Sequence, residues 1–372
     1  MALPDAPGVF SRGHQAGLDI ISFSRSSYET LYITARPSDS EDPLGALREL
    51  SDTVRKRDAK IVSQTVFGGS SLAAKGLSTL EMALGEITWP ITWLDGGSDL
   101  MGTQVSALCG TDVVPVRGAG GLILGSAFED EHARYCFLGN LALLDVTRSR
   151  PDQLRDTFEL MEATLGDRGM GFEHVVRTWL YIDDILDWYD ELNQARTGFF
   201  AERSLFERMM PASTGIGVSN PAGSAIVAEC VAMEPKGAAV AVHDVPSPLQ
   251  CEASDYRSSF SRAAEVVAHD HRRLYVSGTA SIARGGETIY VGDVEAQIAH
   301  TMDVVKAILE SKGMDWSNVT RGVAYFRDID DLPIFDLYCE KHGVPRGVLL
   351  ETPAIVCRDD LLFELEANAV TY

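Results

Sequence analysis

Two glutamates near the end of the chain are candidates for acid–base chemistry. Glu364 and Glu366 lie in the apolar stretch LLFELEANAV, which predicts a β-strand. Side chains alternate along a strand, so the two carboxyls share one face, about 7 Å apart. Burial and mutual repulsion would raise the pKa of one of them, and a carboxyl protonated near neutral pH is a general acid. The alternative is that both glutamates face solvent or cap a neighbour.

Three arginines are candidates for binding carboxylates, because a planar guanidinium pairs with a carboxylate in bidentate fashion. They are Arg177, Arg196 and Arg358. Arg177 lies inside an apolar strand and therefore needs either a bound anion or an acidic partner. A structural ion pair for Arg177 and a solvated charge for Arg196 are the alternatives.

Four further residues could contact a small ligand. In the TGIG stretch at 214–217, Thr214 and Gly215 permit close backbone approach and offer N–H donors, unless the stretch is a β-bulge. Tyr181 shares a strand face with Arg177 and either orients a substrate or belongs to the core. Cys357 either shapes a pocket, acts as a nucleophile or, as we favour, is an inert buried thiol.

The elements that position these residues are repeated within the chain. Residues 157–184 and 301–328 match without a gap at a constant offset of 144. The identical pairs include Thr157 with Thr301, Gly169 with Gly313, Arg177 with Arg321 and Tyr181 with Tyr325. A duplication of this length predicts copies of one α+β unit, with the functional site where copies meet.

Each copy predicts the order strand, helix, strand, helix and two closing strands. The first 115 residues resemble a third, degenerate copy, so we expect an α+β fold of three repeats with pseudo-threefold arrangement. The expected domains are 1–120, 121–236 and 250–372, with a linker around 234–255. Three unrelated α+β domains are the alternative. Fusion of the copies predicts a monomer with pseudo-trimeric repeats or a small homo-oligomer.

Composition narrows the class of partner. The net charge is −22 with no run of Lys and Arg, which argues against nucleic-acid binding and against an endoribonuclease. An anionic small molecule remains compatible, because a few buried arginines outweigh the bulk field inside a cleft.

Several kinds of site and segment lack a sequence signal. No dinucleotide or phosphate-loop motif and no metal-ligand spacing occurs, so no cofactor and no metal are expected. No apolar run approaches the roughly 20 residues that span a bilayer, and the N-terminus lacks the pattern of a signal peptide. The expectation is a cytoplasmic protein that does not contact a membrane.

The repeated unit resembles the RidA (YjgF) superfamily. The resemblance rests on LYVSGTASI, VGDVEAQ, VTRGVAYFRD and LLFELEANAV in the last copy and covers both full copies, roughly 235 residues. It implies the fold of that superfamily, whose activities are mixed.

Within that superfamily several stretches resemble the chorismatases, which hydrolyse chorismate. The stretches are RTWLY at 177–181, LNQAR at 192–196, MPASTGIG at 210–217 and CRDDLLFELE at 357–366. The resemblance implies that Glu364 is the catalytic residue. It also implies that Gly278 and Cys357 occupy the positions that distinguish members by product, here in the combination of the 3-hydroxybenzoate subtype.

The chain departs from the chorismatase pattern at two positions. Leu180 stands where the family has Asn, and Ala195 where it has Gly. The expected activity is cofactor-free cleavage of the enolpyruvyl ether of chorismate, or of a related anionic cyclic enol ether, to pyruvate and a hydroxybenzoate. The alternatives are a RidA-like enzyme acting on another small molecule, such as an imine or enamine, and a binding protein without catalysis. The arginine typical of RidA imine deaminases is missing from both copies.

Overall fold

The computed structural model describes residues 10–15, 17–38, 42–142, 145–252 and 259–372. The first sheet contains six strands: β1 (Phe10–Gln15), β2 (Leu18–Ser24), β3 (Glu29–Ala35), β4 (Lys60–Gly68), β5 (Ile91–Leu94) and β6 (Leu100–Cys109). Its two helices are α1 (Gly45–Lys56) and α2 (Ala73–Leu84).

The second sheet forms the central unit. Its strands are β7 (Val114–Arg117), β8 (Ile123–Glu129), β9 (Ala133–Ala142), β10 (Val175–Ile182), β11 (Ala212–Gly217) and β12 (Ile226–Pro235). Its helices are α3 (Arg150–Gly166) and α4 (Ile185–Glu202).

The third sheet forms the carboxy-terminal unit. Its strands are β13 (Ala241–Val245), β14 (Ala263–Val267), β15 (Arg272–Ala280), β16 (Val319–Phe326), β17 (Leu349–Pro353) and β18 (Phe363–Thr371). Its helices are α5 (Val294–Ser311) and α6 (Leu332–His342).

All three sheets share one topology. In the first unit the strand order is β1-β2-β3-β6-β4-β5, and the other two units repeat it strand for strand. Neighbouring strands are antiparallel except for the last pair, which is parallel in every unit. The expected α+β fold of three repeats is confirmed, and the degenerate first copy is a complete unit.

The core has two layers. One face of each sheet packs on its own two helices in a separate apolar cluster, and the other faces meet in a common cluster. Phe67, Tyr181 and Tyr325, at the same register position of β4, β10 and β16, meet there. The Phe67 ring lies edge-on to both tyrosines, with centroid distances of 6.3 and 6.2 Å. These rings mark the pseudo-threefold axis.

Local signals explain where the helices start and stop. The Ser149 side chain accepts a hydrogen bond from the N–H of Asp152 at the start of α3, and Asp293 does the same for Ala296 at α5. Beyond the ends of these helices, Gly169 (φ 68°) and Gly313 (φ 69°) adopt the left-handed conformation that glycine tolerates.

The unit boundaries differ from those expected. Strand β7 belongs to the central sheet although it lies before residue 121, and β13 lies inside the expected linker. Both are first strands of an antiparallel edge, too short to carry a clear alternating pattern. Strand β9 ends at Ala142, and residues 143 and 144 lie outside the described residues.

Candidate active site

Glu364 is held on a central strand of the third sheet. It lies on β18 between Ala280 of β15 and Tyr325 of β16. Its neighbours Phe363 and Leu365 point into the cluster under the helices, so Glu364 and Glu366 both face the neighbouring unit, as the alternation predicts. Glu364 is 5% exposed.

The environment of Glu364 favours its neutral form. Burial, together with the charge of Glu366 and against the opposing effect of Arg177, raises the pKa of Glu364 to about 8. The expectation that one carboxyl of this pair titrates high therefore holds, with Glu364 as that carboxyl. A carboxyl with this pKa is largely protonated at neutral pH.

Glu364 opens into a cavity between the central and carboxy-terminal units. The enclosed part has a volume of about 40 Å³. One wall comes from α4 and β11, and the other from β15, β18 and the segment before β18. The lining side chains are Tyr189, Leu192, Arg196, Ser213, Gly215, Phe260, Arg262, Gly278, Ala280, Ile282, Cys357, Arg358 and Glu364.

Three arginines give this cavity its positive charge. Arg196 Nη2 donates to Asn193 Oδ1 at 2.6 Å, which fixes the side chain from within α4. Arg262 donates from Nε and Nη2 to the carbonyl of Cys251 at 2.8 and 2.7 Å. Such bonds hold guanidinium groups in defined positions around the carboxyl of Glu364.

Arg358 and an aromatic ring complete the charged wall. Arg358 Nη1 donates to the carbonyl of Gly286 at 2.7 Å. The Phe260 ring lies 5.7 Å from the guanidinium carbons of both Arg196 and Arg262.

The cavity opens into a larger groove on the surface. The groove shares Tyr189, Cys357 and Arg358 with the cavity and has a volume of about 1100 Å³. Its outer rim carries the acidic side chains Asp187, Asp190, Glu191 and Asp359. The enclosed part therefore admits only a small group, while a ring-sized group fits the groove.

Gly278 is required by the position of Glu364. A Cβ at residue 278 would overlap Glu364 Oε1 and lie 3.2 Å from Thr214 Cγ2. The N–H of Gly278 also donates to Thr214 Oγ1 at 3.0 Å. The absence of a side chain at this position lets the carboxyl approach the backbone of β15.

Cys357 lies in the cavity wall with a protonated thiol. Burial, with a further contribution from Glu364, raises the pKa of Cys357 to about 11. This agrees with the interpretation of an inert buried thiol. Cys357 therefore shapes the cavity and does not act as a nucleophile.

The structure brings six of the nine expected site residues together and places three elsewhere. The six at the cavity are Arg196, Gly215, Gly278, Cys357, Arg358 and Glu364. The others, Arg177, Tyr181 and Thr214, are each 0% exposed and lie behind the cavity wall.

Arg177 is held by an acidic partner and does not reach the cavity, which corrects its expected place in the substrate site. Arg177 Nη2 lies 2.8 Å from Glu366 Oε2 on the facing strand and 2.5 Å from Thr214 Oγ1. Trp179 Nε1 donates to the other oxygen, Glu366 Oε1, at 2.8 Å. The structural ion pair left open for Arg177 is what occurs.

Tyr181 is likewise corrected, from the substrate site to the core. Its hydroxyl lies 3.3 Å from Glu229 Oε2, and its ring packs on the axis. Thr214 has an indirect connection to the site, because its hydroxyl links Glu366, Arg177 and the N–H of Gly278.

Only one of the three equivalent interfaces carries this carboxyl. The strand registers place Gly102 and Val227 at the positions equivalent to Glu364. At Gly102 a Cβ would lie 2.6 Å from Leu350 Cδ1, so the carbon side chain of Leu350 already fills that space. The repeat therefore predicts three equivalent interfaces, but a carboxyl occupies this position at one of them.

Sequence reasoning missed Arg262 and Phe260. The repeat gave no signal for Arg262, because the strand register places Leu124 at its position in the central unit. Both residues lie between the expected linker around 234–255 and β14, which starts at Ala263. Among the described residues, no group of three or more His, Cys, Asp or Glu side chains could hold a metal ion.

Residues 255–371 of this chain match the protein family described as "Endoribonuclease L-PSP". The match falls within the carboxy-terminal unit. Glu364 and Gly278 both lie within the matched range, whereas Arg196 and Gly215 come from the central unit.

Two curated relatives extend the similarity beyond this domain. A 3-hydroxybenzoate synthase of Streptomyces hygroscopicus is 26% identical over 239 residues, which cover 56% of this chain and 65% of the relative. A chorismatase of Streptomyces rapamycinicus is 28% identical over 221 residues, which cover 53% of this chain and 64% of the relative. The matches thus span just under two thirds of the length of each relative.

A solved structure resembles nearly the whole chain. A crystal structure of chorismatase superposes with a TM-score of 0.64 at 17% identity, covering 93% of this chain and 100% of that one. This likeness shows a shared fold. With the L-PSP domain and the two curated relatives, the resemblance to the RidA superfamily and to its chorismatases is confirmed. Among the described helices, none is both long and apolar enough to cross a membrane.

Proposed function

We propose that this protein cleaves the enolpyruvyl ether of chorismate, or of a related anionic cyclic enol ether, to pyruvate and a hydroxybenzoate. The observation that carries the proposal is a buried carboxyl with a pKa of about 8, facing a cavity whose charged side chains are otherwise three arginines. The names of the two curated relatives, 3-hydroxybenzoate synthase and chorismatase, support the same chemistry.

In the proposed mechanism Glu364 is the general acid. Its O–H bond breaks as a C–H bond forms at the terminal vinyl carbon, which leaves an oxocarbenium ion beside the ether oxygen. Water adds to the oxocarbenium carbon, which is bonded to the ether oxygen, to form a hemiketal, and the proton released returns to Glu364. The hemiketal then collapses: its hydroxyl proton passes to the ring oxygen, the ether bond breaks and pyruvate leaves. Loss of one water from the ring then yields a hydroxybenzoate.

The arginines and the two-part cavity define how such a substrate would bind. The enclosed part matches the small enolpyruvyl arm, and the groove beyond Cys357 matches the ring. Arg196, Arg262 and Arg358 would pair with carboxylates, which a guanidinium binds in bidentate geometry. Because these side chains are fixed by protein acceptors, binding would order few additional groups.

The test is incubation of the purified protein with chorismate, with pyruvate followed by a coupled assay and the aromatic product by chromatography. We expect equimolar pyruvate and 3-hydroxybenzoate. Release of pyruvate with a different aromatic product would retain the ether cleavage and overturn the subtype implied by Gly278 and Cys357. Intact chorismate after incubation with folded protein would refute the proposed substrate.

The role of Glu364 is tested by Glu364→Gln, which we expect to lower turnover by on the order of 10²-fold or more while substrate binding persists. Glu351→Gln is the matched control, because Glu351 is also buried but lies at another interface, paired with Arg36 and Arg346. Unchanged turnover in Glu364→Gln would refute the general-acid role.

A further inference from the structure

A second polar cavity lies on the pseudo-threefold axis, apart from the site of Glu364. Its enclosed volume is about 40 Å³, room for a few water molecules or one small anion. Three equivalent cross-strand pairs, one from each unit, line it: Tyr32 with Ser106, Phe137 with Val231, and Tyr275 with Asn368. We call it the axial chamber.

The polar groups of the axial chamber are mainly donors without acceptors. Among the described residues, four buried polar atoms that belong to its lining have no hydrogen-bond partner: Thr30 Oγ1, Tyr32 Oη, Arg273 Nε and Arg321 Nη2. Two of these are guanidinium nitrogens and two are hydroxyls, so all four can donate at once. Buried donors of this kind are normally paired, and a cluster of them calls for an acceptor.

The charged side chains around the chamber also favour an acceptor, because the arginines there lack close carboxylate partners among the residues described. Within the described part of the chain, Arg273 has no carboxylate within ion-pair distance and makes one side-chain bond, from Nη1 to the Tyr275 hydroxyl at 3.3 Å. The carboxylate oxygen paired with Arg321 Nη2, Glu366 Oε1, is 3.9 Å away. Glu366 is itself bound by Arg177 and Trp179.

The acidic side chain of the lining, Glu229, is already engaged in hydrogen bonds. It accepts hydrogen bonds from Thr65 at 3.0 and 3.2 Å and from Tyr181 at 3.3 Å. Its burial raises its pKa. Two guanidinium groups therefore face the chamber with no free carboxylate, and a buried cation without a counter-charge is costly.

We propose that the axial chamber binds one small monovalent anion, of the size of chloride or bicarbonate, held by Arg273, Arg321 and the hydroxyl of Tyr32. The volume excludes a substrate-sized carboxylate, and the donors come from the first and third units. The anion would thereby connect two units at the axis.

The test is to measure the midpoint temperature of thermal unfolding of the full chain at increasing concentrations of an added salt. The salts are sodium chloride, sodium bicarbonate and sodium gluconate, compared at the same ionic strength. We expect the midpoint to rise and saturate by about 2–4 °C in chloride, in bicarbonate or in both. Which of the two saturates at lower concentration identifies the anion. Gluconate is too large for the chamber and should leave the midpoint unchanged. Equal midpoints in all three salts would refute the proposal.

Two variants assign the effect to the chamber. Tyr32→Phe removes one donor without changing the ring, and should raise the half-saturating anion concentration severalfold. Arg273→Met should abolish the saturable rise, whereas Arg272→Met, the adjacent arginine bound to Glu265 and Lys312, should retain it. A saturable rise that survives in both Tyr32→Phe and Arg273→Met with unchanged affinity would overturn the assignment, whatever the outcome of the chorismate assay.

Discussion

At the scale of single residues, the proposed chemistry depends on one carboxyl kept neutral by its surroundings. Glu364 is buried, its nearest acidic neighbour Glu366 is ion-paired, and Gly278 provides the space into which it fits. The sequence predicted the paired glutamates and their shared face, because alternation along a strand is a local property. It could not predict Arg262, since that residue approaches Glu364 only after two strands of the third sheet pair.

The first prediction concerns the pH dependence of turnover. Glu364 must be protonated to act as an acid, so kcat should fall as pH rises through about 8. The measurement is kcat for pyruvate release from pH 6 to pH 10. A profile that stays flat across this range would contradict the assignment of Glu364 as the acid.

The second prediction concerns stability at the same residue. The folded-state pKa of about 8 lies above the ordinary value of 4.5, so the folded protein loses stability as pH rises between these values. Ionising Glu364 in the folded protein costs on the order of 5 kcal/mol more than in the unfolded chain. Glu364→Gln removes that cost and should be more stable than wild type at pH 9, with little difference at pH 4.5. Urea unfolding at the two pH values measures this, and an equal difference at both would contradict it.

The third prediction concerns the space beside Glu364. In Gly278→Ala the new methyl group would overlap Glu364 Oε1 and displace the carboxyl. A displacement of about 1 Å is enough to lower kcat by on the order of 10²-fold. Gly198→Ala is the control, because nothing lies within 4 Å of the added Cβ on that helix. Wild-type kcat in Gly278→Ala would show that Glu364 tolerates the methyl group.

At the scale of elements, the buried ion pair between Arg177 and Glu366 joins β10 of the central unit to β18 of the third. The repeat predicted both strands, and the apolar surroundings of Arg177 required a negatively charged partner. The sequence left open whether that partner was a ligand or a side chain. The choice depends on which strands face each other across the interface, and a single repeat pattern does not contain that information.

The fourth prediction follows from this pair. Arg177→Met leaves Glu366 buried without its counter-charge and should lower the free energy of unfolding by about 3–5 kcal/mol. The double variant Arg177→Met/Glu366→Gln should recover a large part of that loss, because the carboxylate left without Arg177 is then neutral and only Arg321, 3.9 Å from Glu366 Oε1, remains charged beside it. Denaturant unfolding of wild type and both variants gives the values. A double variant no more stable than the single would show that packing, and not charge, dominates.

At the scale of the whole molecule, a polar junction joins all three units at their β-hairpins. Arg25 of the first unit is 4% exposed and donates to Asp130 of the central unit at 3.0 Å. It also binds Asp270 of the third unit through two bonds of 3.0 and 3.1 Å. This junction was not predicted from the sequence, because the three hairpins carry different residues at equivalent positions.

The fifth prediction concerns this junction. Burial alone would raise the pKa of Asp270, but hydrogen bonds from His271 and Arg25 outweigh burial and lower it. Stability from the junction is therefore present above the ordinary pKa of 3.8 and is lost as pH falls towards the folded-state value. Arg25→Met should lower the unfolding free energy by about 3–5 kcal/mol at pH 7 and by less at pH 3.

The control for Arg25 is Arg48→Met, which removes an exposed arginine paired with Asp42 and should change stability by no more than about 1 kcal/mol. Denaturant unfolding at pH 7 and pH 3 provides both comparisons. A loss in Arg25→Met that is equally large at the two pH values would mean that the two aspartates do not carry the effect.

The single carboxyl at one of three interfaces has a consequence for how such a chain changes over generations. In a trimer of identical subunits, one mutation in the gene alters all three interfaces together. Here Glu364, Val227 and Gly102 are encoded separately. Mutations that reshape the groove around Arg358 leave the other two interfaces untouched, so those interfaces can accumulate changes that favour folding while the remaining one acquires a new substrate.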